Sequence, residues 1–135
     1  LMSGVREPGE PIHDMWIRVT IDRDCTIHAV DASMPSIPYP GGCERGEAAY
    51  QKLVGANLLH GFRRLVTDRL GGVHGCTHLT EVVGSLPTLA VQMFAGLVRE
   101  IEGTDKPFHL DCCQALDTRT ETVRRSYPRW YRGAA

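Results

Sequence analysis

No apolar run in this chain approaches the roughly 20 residues that a membrane-spanning helix needs. Basic excess is missing as well: 15 Lys and Arg against 16 Asp and Glu leave a formal net charge of -1, without the electrostatic footprint of a nucleic-acid binder. The cluster Arg124, Arg125, Arg129 and Arg132 is therefore read as solvated surface. Paired cysteine spacing is absent too. Cys25, Cys43, Cys76, Cys112 and Cys113 are odd in number and form no CxxC, which argues against a disulfide framework. There is no GxGxxG, P-loop, serine-nucleophile elbow or internal repeat. The start carries neither a charged-then-apolar leader nor a lipidation motif, and Leu1 before Met2 is set aside as a trimmed or engineered start. The expectation is a cytoplasmic protein with reduced thiols.

What is present suits a globular domain. At 135 residues and 42% hydrophobic content, one domain over 1–135 can bury a core without disulfides. Residues 1–11 form its flexible lead-in, because Gly4, Pro8, Gly9 and Pro11 favour extended or mobile backbone. From Met15, the alternation of Met15, Ile17, Val19 and Ile21 with Trp16, Arg18 and Thr20 is a strand signature, and the polar turn Asp22-Arg23-Asp24 leads to a partner strand over Thr26–Ala32. Prolines 35, 38 and 40 make 35–43 a shaped loop. Helices follow over Glu44–Val54, stopped by Gly55, and from an Asn57 cap through Phe62, Leu65, Val66 and Leu70 to Gly71-Gly72.

Apolar residues then keep helical spacing from Leu79 through Val82, Val83, Leu86, Leu89, Ala90, Met93 and Phe94 to Ile101. They predict one long central helix from about Thr77 to Ile101, all of this stripe in the core, kinked at Pro87 or restarted with Ser85 as cap. Pro107–Leu116 reads as a strand and Glu121–Ser126 as its partner across Asp117–Thr120, with Tyr127–Tyr131 as an aromatic lid on the sheet. The fold class is α+β, an antiparallel sheet packed against helices with one long central helix.

The stretch Gly71-Gly72-Val73-His74-Gly75-Cys76-Thr77-His78-Leu79-Thr80-Glu81 concentrates the chemistry. A Gly-rich turn lets backbone approach a ligand and empties into the long helix, where unpaired N–H groups and the helix dipole favour a Cys76 thiolate. His78 and Glu81, three apart, share one helical face. Cys43 stands near the start of an earlier helix in the same manner. Together with Asp111 and Cys113 these residues form a proposed site drawn from three separated segments. A return strand from Pro107 would bring Asp111 back beside His78. His13 and Asp14 stand at the entrance of the first strand, where side chains reach the sheet's end.

The strings GGVHGCTHLTE, PFHLDCC and YPRWYRG, with Ile12–Trp16, Pro38–Gly41 and Tyr50–Gly55, resemble in order a bacterial family catalogued as domain of unknown function 2889. That resemblance implies functional positions at His13, Asp14, Cys76, His78, Glu81, Asp111 and Cys113, while Gln114 stands where a histidine is expected. The layout of a hairpin, a loop cysteine and a cysteine at a long helix is also similar to the SufE/NifU-like iron–sulfur scaffold fold.

These readings converge on a small cytoplasmic enzyme acting on a small, aromatic or acyl, molecule by metal-assisted hydrolysis or lyase chemistry. Cys43, Cys76, His78 and Cys113 are the candidate ligands, of types that suit zinc or iron. Glu81 or Asp111 would carry the proton, with His13 and Asp14 orienting it. The alternatives are a non-catalytic metal or iron–sulfur carrier, and a metal-free binding module. The partner is a small-molecule substrate, neither nucleic acid nor membrane, and homo-oligomerisation is left open.

Overall fold

Alternation decides the first element. In the computed structural model, which describes residues 5–94, 106–107 and 109–133, strand β1 (Asp14–Ile21) turns Met15, Ile17, Val19 and Ile21 inward and Asp14, Trp16, Arg18 and Thr20 outward. Strand β2 (Ile27–Ser36) pairs with it antiparallel, Val19 opposite Val30 and Ile17 opposite Ala32. It runs four residues beyond the expected end, into the proline loop. Pro35 is tolerated because the ladder is irregular there: Asp14 faces Ser36 but Trp16 faces Ser33, so β2 carries an extra residue at the position of a missing N–H donor. The connecting turn is closed by Asp22, whose carboxylate accepts from the N–H groups of Asp24 (3.0 Å) and Thr26 (2.9 Å). Ahead of β1, the Arg6 guanidinium donates to Ser36 Oγ and the Ile37 carbonyl, tying residue 6 to the end of β2.

The chain divides into two compact units, Leu1–Ala90 and Val91–Ala135. In the first, helix α1 (Arg45–Ala49) tightens into a 3₁₀ turn (Tyr50–Leu53) that buries Tyr50 and Leu53 against β2 and stops at Gly55, whose φ of 82° suits glycine. Helix α2 (Phe62–Leu70) buries Phe62, Val66 and Leu70. Its cap position is Gly61, not Asn57. The Asn57 side chain instead binds the Asp24 carbonyl and the Leu59 N–H, so this residue ties its loop to the hairpin.

Helices α3 (Thr77–Gly84) and α4 (Leu86–Phe94) form a bent helix of 18 residues, divided at Ser85. Pro87 sits in the first turn of α4, where a missing N–H breaks no intrahelical bond. The apolar stripe is only partly core. Leu79, Val83 and Ala90 are buried, whereas Val82, Leu89 and Met93 are 50%, 46% and 69% exposed. The expected continuation to Ile101 lies outside the described residues. The core of the first unit is Ile27, Val30, Met34, Tyr50, Leu53, Leu58, Phe62, Val66, Leu70, Leu79 and Val83, and each fully buried aliphatic side chain contributes about 2 kcal/mol.

The second unit overturns the expected second hairpin. Glu121–Ser126 is helix α5, with Thr120 Oγ1 accepting from the Val123 N–H at its start, Glu121 in its first turn and Arg124 and Arg125 in its last. A hydroxyl cap, an early acid and late bases are helix signals that outweigh a short apolar alternation. Residues 109–116 form turns rather than a strand, ending in a 3₁₀ turn (Gln114–Leu116). Asp111 holds a φ of 63°, incompatible with extended backbone. Tyr127 bonds His109 Nε2 at 3.1 Å, and a further 3₁₀ turn (Pro128–Trp130) follows.

Candidate functional site

Cys76 occupies the N-cap of α3, at the end of the Gly71–Gly75 turn. Close approach of backbone explains two of the glycines here. A Cβ on Gly75 would stand 2.7 Å from the Leu70 carbonyl oxygen, and one on Gly46 would stand 2.9 Å from Met34 Cε and 3.5 Å from Cys76 Cβ. A side chain at Gly46 would press α1 against Met34 and Cys76, and one at Gly75 would press the glycine turn against the end of α2.

Tyr50 completes the clamp. Its fully buried hydroxyl accepts from the Cys76 N–H (3.1 Å), donates to the Cys76 carbonyl (2.8 Å) and meets Thr80 Oγ1 at 3.0 Å. Burial pushes the Tyr50 hydroxyl above the usual phenol range, so it remains a neutral donor and acceptor. The Cys76 main chain is thus held at both its polar groups.

The thiol itself is half-buried. Its Sγ lies 3.9 Å from His78 Nδ1 and 4.0 Å from Met15 Sδ. The ring of His13, one residue ahead of β1, lies against that of His78 with centroids 4.2 Å apart. A cavity of about 450 Å³ opens beside this pair, with Tyr39, Cys43, Arg45, His74, Cys76 and His78 in its wall. The expected residues Cys43, Cys76 and His78 therefore share one cavity, and His13 reaches it through His78. Asp14 begins β1 and Glu81 lies one turn beyond His78 on α3, both exposed.

Asp111 and Cys113 belong to the second unit. The return strand expected to carry Asp111 to His78 is replaced by turns, and Asp111 has local work there. One carboxylate oxygen accepts from the Thr118 N–H (2.8 Å) and hydroxyl (3.0 Å), the other from Lys106. Lys106 first, then Thr118, hold this carboxyl far below the usual carboxylate range. A cavity of about 600 Å³ there is lined by Cys112, Cys113, Gln114 and Arg132 together with Asp111, Asp117 and Arg119. It is larger than the first, but Asp117 and Arg119 already pair at 2.6 Å, and Asp111 is committed to Lys106 and Thr118. Cys112 and Cys113 are exposed there with no histidine among the described lining residues, whereas Cys76 and His78 meet in the wall of theirs.

The residues expected to hold zinc or iron are only partly brought together. Among the described residues no three His, Cys, Asp or Glu side chains gather in a way that could hold a metal ion. Of the four expected ligands, Cys76 and His78 meet, Cys43 shares their cavity, and Cys113 lies in the other unit. Sequence reasoning missed Met15, Tyr50 and Thr80 as neighbours of the thiol. Met15 and Tyr50 carry apolar-periodicity signals that assign them to the core, and their spatial partner is 61 and 26 residues away.

Fold and site together define an α+β domain with a thiol–imidazole pair at a helix start. The chain belongs to the family described as protein of unknown function (DUF2889), whose family model matches residues 1–92. That match holds the glycine turn, Cys76, His78 and Glu81, and the motifs at 107–116 and 127–132 lie beyond it. No curated protein and no solved structure matches the chain, and the layout similarity to the SufE/NifU-like scaffolds is not shown. Among the described residues no helix is long and apolar enough to cross a membrane.

Proposed function

We propose that the first unit is a small-molecule hydrolase site, cytoplasmic in setting, acting on an acyl compound that enters the cavity beside α3. The single observation behind this reading is the Cys76 thiol 3.9 Å from His78 Nδ1 in the wall of that cavity. With His78 in the tautomer that leaves Nδ1 unprotonated, Nδ1 takes the thiol proton and the thiolate attacks the acyl carbon. The leaving group departs with that proton, and water then hydrolyses the acyl thioester, returning the acid and the free thiol. His13 orients the His78 ring, and Tyr39 in the wall favours an aromatic acyl group.

The metal-assisted version of the reaction would use the same pair as two of its donors. An ion there would supply Lewis acidity, with Cys76 a ligand rather than a nucleophile. Mass spectrometry after incubation with small aromatic and aliphatic activated esters tests the thiol reading: an acyl group should be trapped on Cys76, and Cys76→Ser and His78→Ala should remove turnover. Turnover that survives Cys76→Ser would reject it. Elemental analysis of protein purified without chelator separates the metal version.

A further inference from the structure

Two rows of side chains meet at the start of α3. His13 stands one residue ahead of β1 and Met15 within it, while Cys76 caps α3 and His78 lies in its first turn. His13 lies on His78 and Met15 lies on Cys76. The thiol consequently has a thioether sulfur at 4.0 Å and an imidazole nitrogen at 3.9 Å.

We propose that Met15, Cys76 and His78 form a site for a soft monovalent cation of the Cu(I) class. Metal–sulfur bonds of about 2.3 Å spread at about 120° put two sulfurs ~4.0 Å apart, and a metal–nitrogen bond of about 2.0 Å puts the imidazole nitrogen ~3.7 Å from the thiol sulfur, so the 4.0 Å and 3.9 Å separations from Cys76 Sγ are close to those of a shared ion. The donor types select the metal. A thioether with a thiolate and an imidazole is a soft set, suited to Cu(I) and poor for magnesium, calcium or manganese, which take oxygen. No carboxylate is needed, in keeping with the exposed positions of Asp14 and Glu81. His13 stands behind the imidazole as a support that limits its rotation. Tyr50 and Thr80 hold the Cys76 backbone from the buried side, so the thiol is presented without closing the turn.

This inference goes beyond the hydrolytic reading and shares Cys76 with it: an ion on the thiol blocks its use as a nucleophile. The two are tested apart. Ag(I), a redox-inert stand-in for Cu(I), is titrated into the full chain with methionine methyl groups labelled with carbon-13. The Met15 methyl resonance, assigned by its loss in Met15→Leu, should shift with the first equivalent while that of Met93 stays. Cu(I) affinity, measured by competition with a chromogenic chelator, should fall at least about tenfold in Met15→Leu, the loss seen even for outer-shell partners of metal sites. Equal affinity of Met15→Leu and the unaltered chain, or no Met15 shift with one equivalent of Ag(I), would overturn the proposal. Acyl trapping on Cys76 is measured on metal-free protein, so its failure bears on the hydrolytic reading alone.

Discussion

Tyr50 shows what a single residue does for this site. Its ring fills the core, and its hydroxyl satisfies the two polar main-chain groups of a cysteine 26 positions away. Tyr50→Phe keeps the ring and strands the Cys76 N–H, while the Cys76 carbonyl keeps the Thr80 N–H at 2.9 Å, so it should cost about 2 kcal/mol in denaturant unfolding. Cys76 alkylation should also change in rate in the folded variant, because the thiol loses its fixed backbone. An unfolding midpoint within error of the parent would remove the clamp from this account. Cys25 gives the contrast. It is buried at a left-handed turn position, and burial, with Asp22 and Asp24 nearby, pushes its thiol up. In native protein it should be the last of the five cysteines to react with an alkylating reagent, as peptide mapping over time will read.

At the scale of elements, each helix start is made differently, and stability should follow the difference. Helix α5 depends on Thr120, and Thr120→Ala should destabilise the second unit by about 1 kcal/mol, seen as a lower thermal midpoint. The turn before α5 depends on carboxylates. Arg119 pulls Asp117 down to about 2, and Lys106 and Thr118 pull Asp111 lower still. Folded values below the ordinary 3.8 mean that this support is present above about pH 4 and is lost as pH falls through the folded values. Trp130 fluorescence in a Trp16→Phe background should hold steady from neutral pH to about 4 and change below it. A transition centred near 6 would point to histidine instead. The hairpin turn uses the same device: His28 and the Thr26 N–H hold the Asp22 carboxyl below the usual carboxylate range where it closes the β1–β2 ladder.

On the scale of the whole molecule, the family match and the first compact unit nearly coincide, residues 1–92 and 1–90. The thiol–imidazole pair, its cavity and the proposed soft-metal donors all lie within that part. None of the five cysteines is in a disulfide, so thiol titration under denaturing, non-reducing conditions should return five groups per chain. Recovery of three or one would mean bridges and would overturn the reduced-thiol reading.

Local physics made several features legible in the sequence itself. Alternation set β1 and its inward face, Gly55 ended the turn after α1, and Cys76 fell at the start of α3 because a glycine turn preceded an apolar helix. The α+β class followed from those periods. Tertiary structure decided what periodicity leaves open. Glu121–Ser126 became helix because caps and charges outweigh six residues of weak pattern, and Asn57 gave up its capping role for the hairpin turn. Val82, Leu89 and Met93 had the spacing of core residues, yet a helix packs along one stripe and these fall outside it. Met15 read as a core strand residue in the same way. Only the meeting of β1 with α3 made it a neighbour of Cys76, because contact between residues 61 apart depends on how elements pack and leaves no period in the chain.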